Sequence, residues 1–201
     1  MAVINVPASK SLTLSNKFPG SNIKDKKIMV GWEGKYNYYS YLFFDIGIIP
    51  INISLVSASL VLFKVADFFN SPVPVFNIYP LLKPFSSFTT YENACPIDLD
   101  PALEQEFLPF TQDVAIEINI TVLLDKWLNN TLKNNGIDIR GKYTEPYPIG
   151  YTYFGSAYSK DNTLIPFIRV AFTPKPWIWY LPTSQITYTT QLLSSGKTKE
   201  T

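Results

Sequence analysis

The chain contains no histidine, and Cys95 is its only cysteine. These two shortages exclude histidine-based catalytic triads, histidine acid–base catalysis, zinc sites of the usual kind and any disulfide within the chain. Cys95 precedes Pro96 in a turn-like sequence, which favours a free thiol, with a disulfide to another molecule as the alternative. No other catalytic spacing is recognisable, so we expect no enzyme activity and no cofactor.

The chain also has few charged residues. They make up 16% of it, and 17 are basic and 16 acidic. Such a balance gives no basic surface for DNA or RNA, so nucleic acid is excluded as a partner. The acidic residues that cluster in sequence are Asp98, Asp100, Glu104 and Glu106. They lack the glycine and the distal acidic residue of a calcium loop, so we interpret them as a solvated loop and predict no metal site.

Long uninterrupted apolar runs are missing as well. Residues 46–65 form the most apolar stretch, but Pro50, Asn52 and several serines interrupt it. Its β-branched residues suit two strands around a turn better than a membrane helix, so we expect no membrane insertion. The residues after Met1 do not show a basic segment followed by an apolar one, so we expect no secretory signal in this chain, and the export route stays open.

Short β-rich segments separated by turn residues are present throughout. The candidate strands cover residues 3–6, 27–31, 38–46, 55–65, 75–79, 114–120, 137–139, 151–154 and 165–172. Hydrophobic residues make up 46% of the chain, which is enough for one folded core. The pattern predicts an all-β domain, a two-sheet sandwich with jelly-roll-like connections.

One short helix interrupts the strands, near residues 121–131. Thr121 is predicted as its N-cap, and Leu124, Trp127 and Leu128 fall on one helical face. Gly136 follows where the chain needs a positive φ. We therefore expect Trp127 to be a core residue.

Three segments in this order carry a resemblance to a known family. The first, residues 39–63, has an aromatic strand ending at Asp45 and then the strand Ser57-Ala58-Ser59-Leu60. The second is the helix with its Asn-Gly turn, at residues 118–139, and the third is the pair of strands at residues 154–172. This arrangement resembles the DNRLRE-type domain, a bacterial β-sandwich of surface and secreted proteins related to carbohydrate-binding modules. Asn119 stands where that family usually has aspartate.

The resemblance divides the chain into three parts. Residues 1–22 are predicted to be an N-terminal extension with a β-prone segment. Residues 23–173 would form the DNRLRE-like sandwich, and residues 174–201 an aromatic strand and a polar tail.

The two extensions suggest a structural role. Trp177 and Trp179 share one strand face, which either packs on its own domain or pairs with another copy. We predict the second, in a non-catalytic subunit that associates with itself in a cell-surface or spore-surface layer, fibre or appendage, outside the cell. The candidate assembly contact comprises Trp177, Trp179, Tyr180, Ile186, Tyr188, Val3 and Val6.

The alternative is a polysaccharide-binding module. Sugar-binding proteins use flat aromatic faces, against which the C–H groups of a sugar ring stack. The residues around β-prone positions 32–41 are rich in tyrosine, and alternation places neighbours on opposite faces. The candidate glycan contacts are Trp32, Tyr36, Tyr39 and Tyr41.

Overall fold

The computed structural model describes residues 1–66, 75–94, 101–108, 114–142 and 150–175. Within them the chain forms ten β-strands and one α-helix, so the all-β class with one short helix is confirmed. The strands are β1 (Ala2–Ser15), β2 (Lys27–Glu33), β3 (Tyr36–Phe44), β4 (Ile53–Ala66), β5 (Phe76–Pro80), β6 (Gln105–Phe107), β7 (Ala115–Asn119), β8 (Ile137–Gly141), β9 (Gly150–Gly155) and β10 (Phe167–Pro174), and the helix is α1 (Thr121–Leu128).

Six of the strands close into a barrel, in the order β1, β10, β4, β9, β2, β3 and back to β1. The strands β8, β5 and β6 continue outward from β3, and β7 pairs with β4. The two-sheet sandwich expected from the strand spacing is not confirmed. The barrel closes because β1 and β4, each 14 residues long, change partners along their length.

The strand β1 shows how this change of partner works. Its first half, residues 2–7, pairs with β10, and its second half pairs with β3. The register shifts between Ala8 and Lys10, where a bulge re-aims the strand. The segment assigned by sequence to an N-terminal extension is therefore a barrel strand.

The helix α1 covers one end of the main core. Leu123, Leu124 and Trp127 are buried beneath it, and Trp127 is 2% exposed, so its predicted core position is confirmed. The helix differs from the prediction at both ends, since it stops at Leu128 and Thr121 is its first helical residue, not its N-cap. The Thr121 backbone N–H donates instead to Asn119 Oδ1, over 2.9 Å.

Two local features decide how the outer strands are placed. Gly136 has a φ of +100°, as predicted, and a Cβ there would lie 2.4 Å from the carbonyl oxygen of Leu42. The strand β3 ends at Phe44, two residues before the prediction, and a 3-10 helix follows at Ile46–Ile48. The strand β6 falls within the segment interpreted as an acidic loop, so that part of the interpretation is corrected.

A second, smaller core lies outside the barrel wall. Leu12, Leu14 and Tyr41 on β1 and β3 are buried with Leu81, and residues 85–94 pack over them. Residues 85–94 thus cover the outer face of these strands.

Candidate functional site

The outer face of β3, β8 and β5 carries a cluster that we call the tyrosine face: Tyr39, Tyr41, Tyr79, Asp138 and Arg140. The strand register aligns Tyr41 with Asp138 and Asp138 with Tyr79. Residues directly opposite on neighbouring strands share a face of the sheet. Aromatic and charged side chains therefore meet here in one layer.

The rings of the tyrosine face are already in contact with other side chains. Tyr39 stacks on Tyr91, with ring centroids 5.8 Å apart, and the Arg140 guanidinium lies 4.1 Å from the Tyr39 centroid. Tyr41 meets Phe85 edge to face at 5.6 Å. Burial, followed by the neighbouring Tyr91, raises the pKa of Tyr39 to about 12. These rings form a packed layer.

A buried ion pair lies at the centre of the tyrosine face. The Arg140 Nε donates to Asp138 Oδ2, while Asp138 Oδ1 has no donor among the described residues. Complete burial raises the pKa of Asp138 to about 6, although Arg140 acts in the opposite direction. Burial disfavours the charged carboxylate more than this single partner favours it.

The four candidate glycan residues do not form one platform. Tyr39 and Tyr41 belong to the tyrosine face, and Tyr41 is only 4% exposed. The Trp32 indole N–H donates to the Gly141 carbonyl at 3.3 Å. Tyr36 is half-buried, with the Lys17 and Lys35 amines 5.1 Å and 5.4 Å from its ring centroid.

An open groove lies where β3 leads into β4. It has a volume of about 640 Å³ and is bounded by the loop into β4, the end of α1 and the end of β10. Its apolar walls are half-buried side chains that pack on the core: Ile46, Ile53, Leu55 and Leu128. Ile51, at the same groove, is 84% exposed. This surface, which we call the groove, combines apolar walls with polar residues such as Asn129 and Asp125, and it is incompletely covered.

The groove has two further distinguishing features. Trp127 lines it, and the Trp127 indole N–H is buried with no acceptor among the described residues. Asn52 (φ 61°) and Asn130 (φ 55°) also line it, and they are the only non-glycine residues with positive φ in the described ranges. Sparsely populated backbone conformations tend to occur at binding sites.

The candidate assembly residues are placed in different ways. Val3 is 57% exposed on β1, whereas Val6 is 1% exposed and belongs to the main core. Val6 is therefore corrected from a contact residue to a core residue. The other five candidates lie outside the described residues: Trp177, Trp179, Tyr180, Ile186 and Tyr188. Cys95 also lies outside them.

The four-strand layer β1, β10, β4 and β7 presents a face of low charge. One row across it contains Val3, Ala171 and Ser57, none of which is charged. The charged pair on this face is Arg169 with Glu117, whose side chains are 44% and 49% exposed.

Sequence reasoning missed the central ion pair and the groove. Asp138 and Arg140 alternate with Ile137 and Ile139, a pattern that places two opposite charges on one strand face. The groove could have been suspected from the isoleucines gathered around Pro50, since a turn leaves such residues without a second layer.

No protein-family model matches the chain, and comparison with curated proteins finds none that is similar. Within the ranges that the structure describes, acidic and thiol side chains form no group of three that could hold a metal ion. No helix in the same ranges is long and apolar enough to span a membrane.

Proposed function

We propose that the protein is a non-catalytic structural subunit that associates with copies of itself in a cell-surface or spore-surface layer, fibre or appendage. The observation that carries this proposal is the pair of strand edges on the layer β1, β10, β4 and β7 that no other described strand covers. The resemblance to DNRLRE-type domains supports the surface location.

The open edges lie at the two ends of this layer. Among the described strands, residues 2–7 of β1 pair only with β10, and β7 pairs only with β4. Unpaired backbone N–H and C=O groups at an edge accept a strand from another chain. Because the two edges differ, pairing β1 of one copy with β7 of the next is head-to-tail and repeats along a fibre.

The face beside these edges suits close packing. Small neutral residues such as Val3, Ser57 and Ala171 cover one row of it, so little charge would have to be desolvated. Pro7, near the bulge, limits the edge to the residues before it, because proline gives no N–H to a ladder.

Assembly can be tested by sedimentation velocity and negative-stain microscopy over a range of concentrations. We expect concentration-dependent oligomers, and we expect Val3→Lys to weaken them by about tenfold or more, because lysine on an edge strand opposes pairing. Phe88→Lys is the matched control, since Phe88 is 84% exposed on the segment after β5. A monomer at every concentration would refute the proposal, and equal effects of the two variants would refute the β1 contact.

A second candidate function is binding of an acidic polysaccharide, and the observation that favours it is the position of the Lys17 and Lys35 amines near the ring of Tyr36. The ring would stack on a sugar while the Lys35 amine attracts its acidic groups, since the Lys17 amine is already paired with Glu33 at 3.1 Å. In affinity electrophoresis we expect retardation by acidic glycans and not by neutral ones, lost in Tyr36→Ala and kept in Tyr158→Ala. The absence of retardation by any glycan would remove this candidate.

A further inference from the structure

We infer the alignment in which two copies of the chain join: β1 of one copy lies antiparallel to β7 of the next, with Asn5 opposite Glu117. This inference rests on the proposed self-association and adds to it the direction and the register of the two strands. The contact comprises residues 3–7 of one copy and residues 115–119 of the other.

The directions of the four strands make the two edges compatible. In the layer β1, β10, β4 and β7, each strand is antiparallel to the next. Because the number of strands is even, the two edge strands run in opposite directions. A second copy placed beside the first in the same orientation therefore brings its β1 antiparallel to β7, and the pairing pattern of the layer continues from one copy to the next.

The backbone of β1 presents its odd-numbered residues at the edge away from β10. The Ala8 N–H donates to the Pro166 carbonyl at 2.8 Å, in the same register as the pairing of β1 with β10. In an antiparallel ladder, such bonded residues alternate with residues whose backbone groups point the other way. Val3, Asn5 and Pro7 therefore direct their backbone groups away from β10. Pro7 agrees with this assignment, since prolines in sheets occur where the missing N–H faces outward.

The edge of β7 has the same alternation. The Ile120 N–H donates to the Ala58 carbonyl at 2.9 Å, in the register of the pairing between β7 and β4. The even-numbered residues of β7 therefore direct their backbone groups toward β4. The odd-numbered residues direct theirs outward: Ala115, Glu117 and Asn119.

The side chains of the two edges also point to matching faces. The odd-numbered residues of both segments are exposed, whereas Val6, Ile116 and Ile118 are buried and Ile4 is half-buried. Residues that lie opposite each other in an antiparallel pair share a face of the sheet. Pairing odd-numbered residues with each other keeps the exposed side chains on the outer face. It also places Ile4 beside Ile118, so the apolar layer of the main core continues into the next copy.

One register meets these conditions along the whole of β7. Moving β1 by two residues in one direction would bring its bulge at residues 8–10 into the ladder. Moving it by two residues in the other direction would require Met1, which precedes the strand. The remaining register pairs Val3 with Asn119, Asn5 with Glu117 and Pro7 with Ala115. Pro7 then stands at the end of the ladder, where water can replace its missing donor.

The charges at this contact are already balanced. Residues 2–7 have no charged side chain, and Glu117 forms an ion pair with Arg169 of its own copy. The approach of Asn5 therefore separates no ion pair and brings no like charges together. Little desolvation of charge is needed to form the strand pair.

Disulfide formation between two single-cysteine variants tests the register, with Cys95→Ser as background in both full-length chains. Asn5→Cys is mixed with Glu117→Cys, and a tag on one chain distinguishes the mixed dimer by its mass. The controls replace Glu117→Cys by Ala115→Cys or by Asn119→Cys, since both residues are exposed on the same face of β7. Circular dichroism confirms that each variant is folded.

The expected result follows from the spacing of an antiparallel pair. The Cα atoms of directly opposite residues lie about 5.5 Å apart, within the range of a disulfide, and those of diagonal neighbours lie about 7 to 8 Å apart, beyond it. We expect mixed dimers to form with Glu117→Cys at least about tenfold faster than with either control. Faster bridging with a control would assign another register, and dimers of Asn5→Cys alone would show that β1 pairs with β1. Either result overturns the inference.

Sedimentation velocity on the same samples separates this inference from the proposed function. Oligomers that bridge at equal rates with all three cysteine positions of β7, or with none of them, would overturn the register and leave self-association standing. A monomer at every concentration would refute both.

Discussion

The tyrosine face and the groove are two surfaces of one barrel, and only the first is covered by another described segment of the chain. Residues 85–94 cover the first, so that Tyr39 and Tyr41 each meet another ring. The second leaves Ile51 exposed and the Trp127 N–H without an acceptor among the described residues. Where a connection forms an outer layer, the aromatic side chains of the wall are buried against other rings, and where none is described an aliphatic side chain stays exposed.

The two surfaces also differ in how they depend on charge. The tyrosine face contains the buried pair of Asp138 and Arg140, whereas the groove has Asp125 and Lys175 only among its exposed residues. The contribution of the tyrosine face to stability should therefore depend on pH. The contribution of the groove should depend on how much apolar area is buried there.

The largest effect is expected for Arg140→Ala, which leaves Asp138 buried without its partner. Removing one member of a buried pair costs about 3 to 5 kcal/mol. We expect this loss in the free energy of unfolding at pH 7, measured by urea denaturation, and a smaller loss at pH 5, where Asp138 can bind a proton. A loss below about 1 kcal/mol at both pH values would show that the tyrosine face is not held by this pair.

The next effect concerns Asp138→Asn. Asp138 titrates near pH 3.9 in the unfolded chain and near 6 in the folded one, because burial raises its pKa. Between these values the folded state binds more protons, so the free energy of unfolding contributed by Asp138 falls as the pH rises from about 4 to about 6. We expect Asp138→Asn to remove this decrease in the free energy of unfolding, which amounts to about 1 to 3 kcal/mol. If the free energy of unfolding of Asp138→Asn depends on pH in the same way as that of the unchanged protein, the prediction is wrong.

A smaller effect distinguishes Ile51 from Phe88, whose side chains are both 84% exposed in the described structure. If the groove is covered in solution, Ile51→Ala should cost about 1 kcal/mol, since part of an aliphatic side chain is then buried. Phe88→Ala, outside the groove, should change the stability by less than about 0.5 kcal/mol. Equal values in thermal denaturation would show that nothing covers Ile51.

The smallest effect is expected for the exposed pair of Arg169 and Glu117. Exposed ion pairs contribute about 0.2 to 1 kcal/mol, and salt screens them. Arg169→Ala should therefore destabilise slightly in dilute buffer and not at 1 M salt. A large, salt-independent loss would show that this face is less open than its exposure indicates.

Local signals predicted most of the barrel. Alternating apolar residues located nine of the ten strands, and Gly136 was recognised from its place after the helix. The missed strand β6 has only three residues, and two of them, Gln105 and Glu106, are exposed and polar. It therefore shows no alternation of apolar and polar residues. Closure into a barrel depends on the bulges of β1 and β4, which no pattern of hydrophobic residues shows.

The candidate sites were harder to predict, because they arise between distant segments. Tyr39 was selected as a surface aromatic, yet it is covered by Tyr91, some fifty residues later in the chain. The groove combines residues 46–55 with the end of α1 and with Lys175. A sequence shows which side chains are apolar, but not which of them the connections will cover.

The position of β1 has a consequence for how the chain folds. Its first residues pair with the end of β10, so that Ala2 lies opposite Phe172. The barrel cannot close until almost every described residue has left the ribosome, and pairings so distant in sequence slow folding. Among the described strands, β1 must therefore wait for β10, and its apolar side chains stay without their partner strand until then.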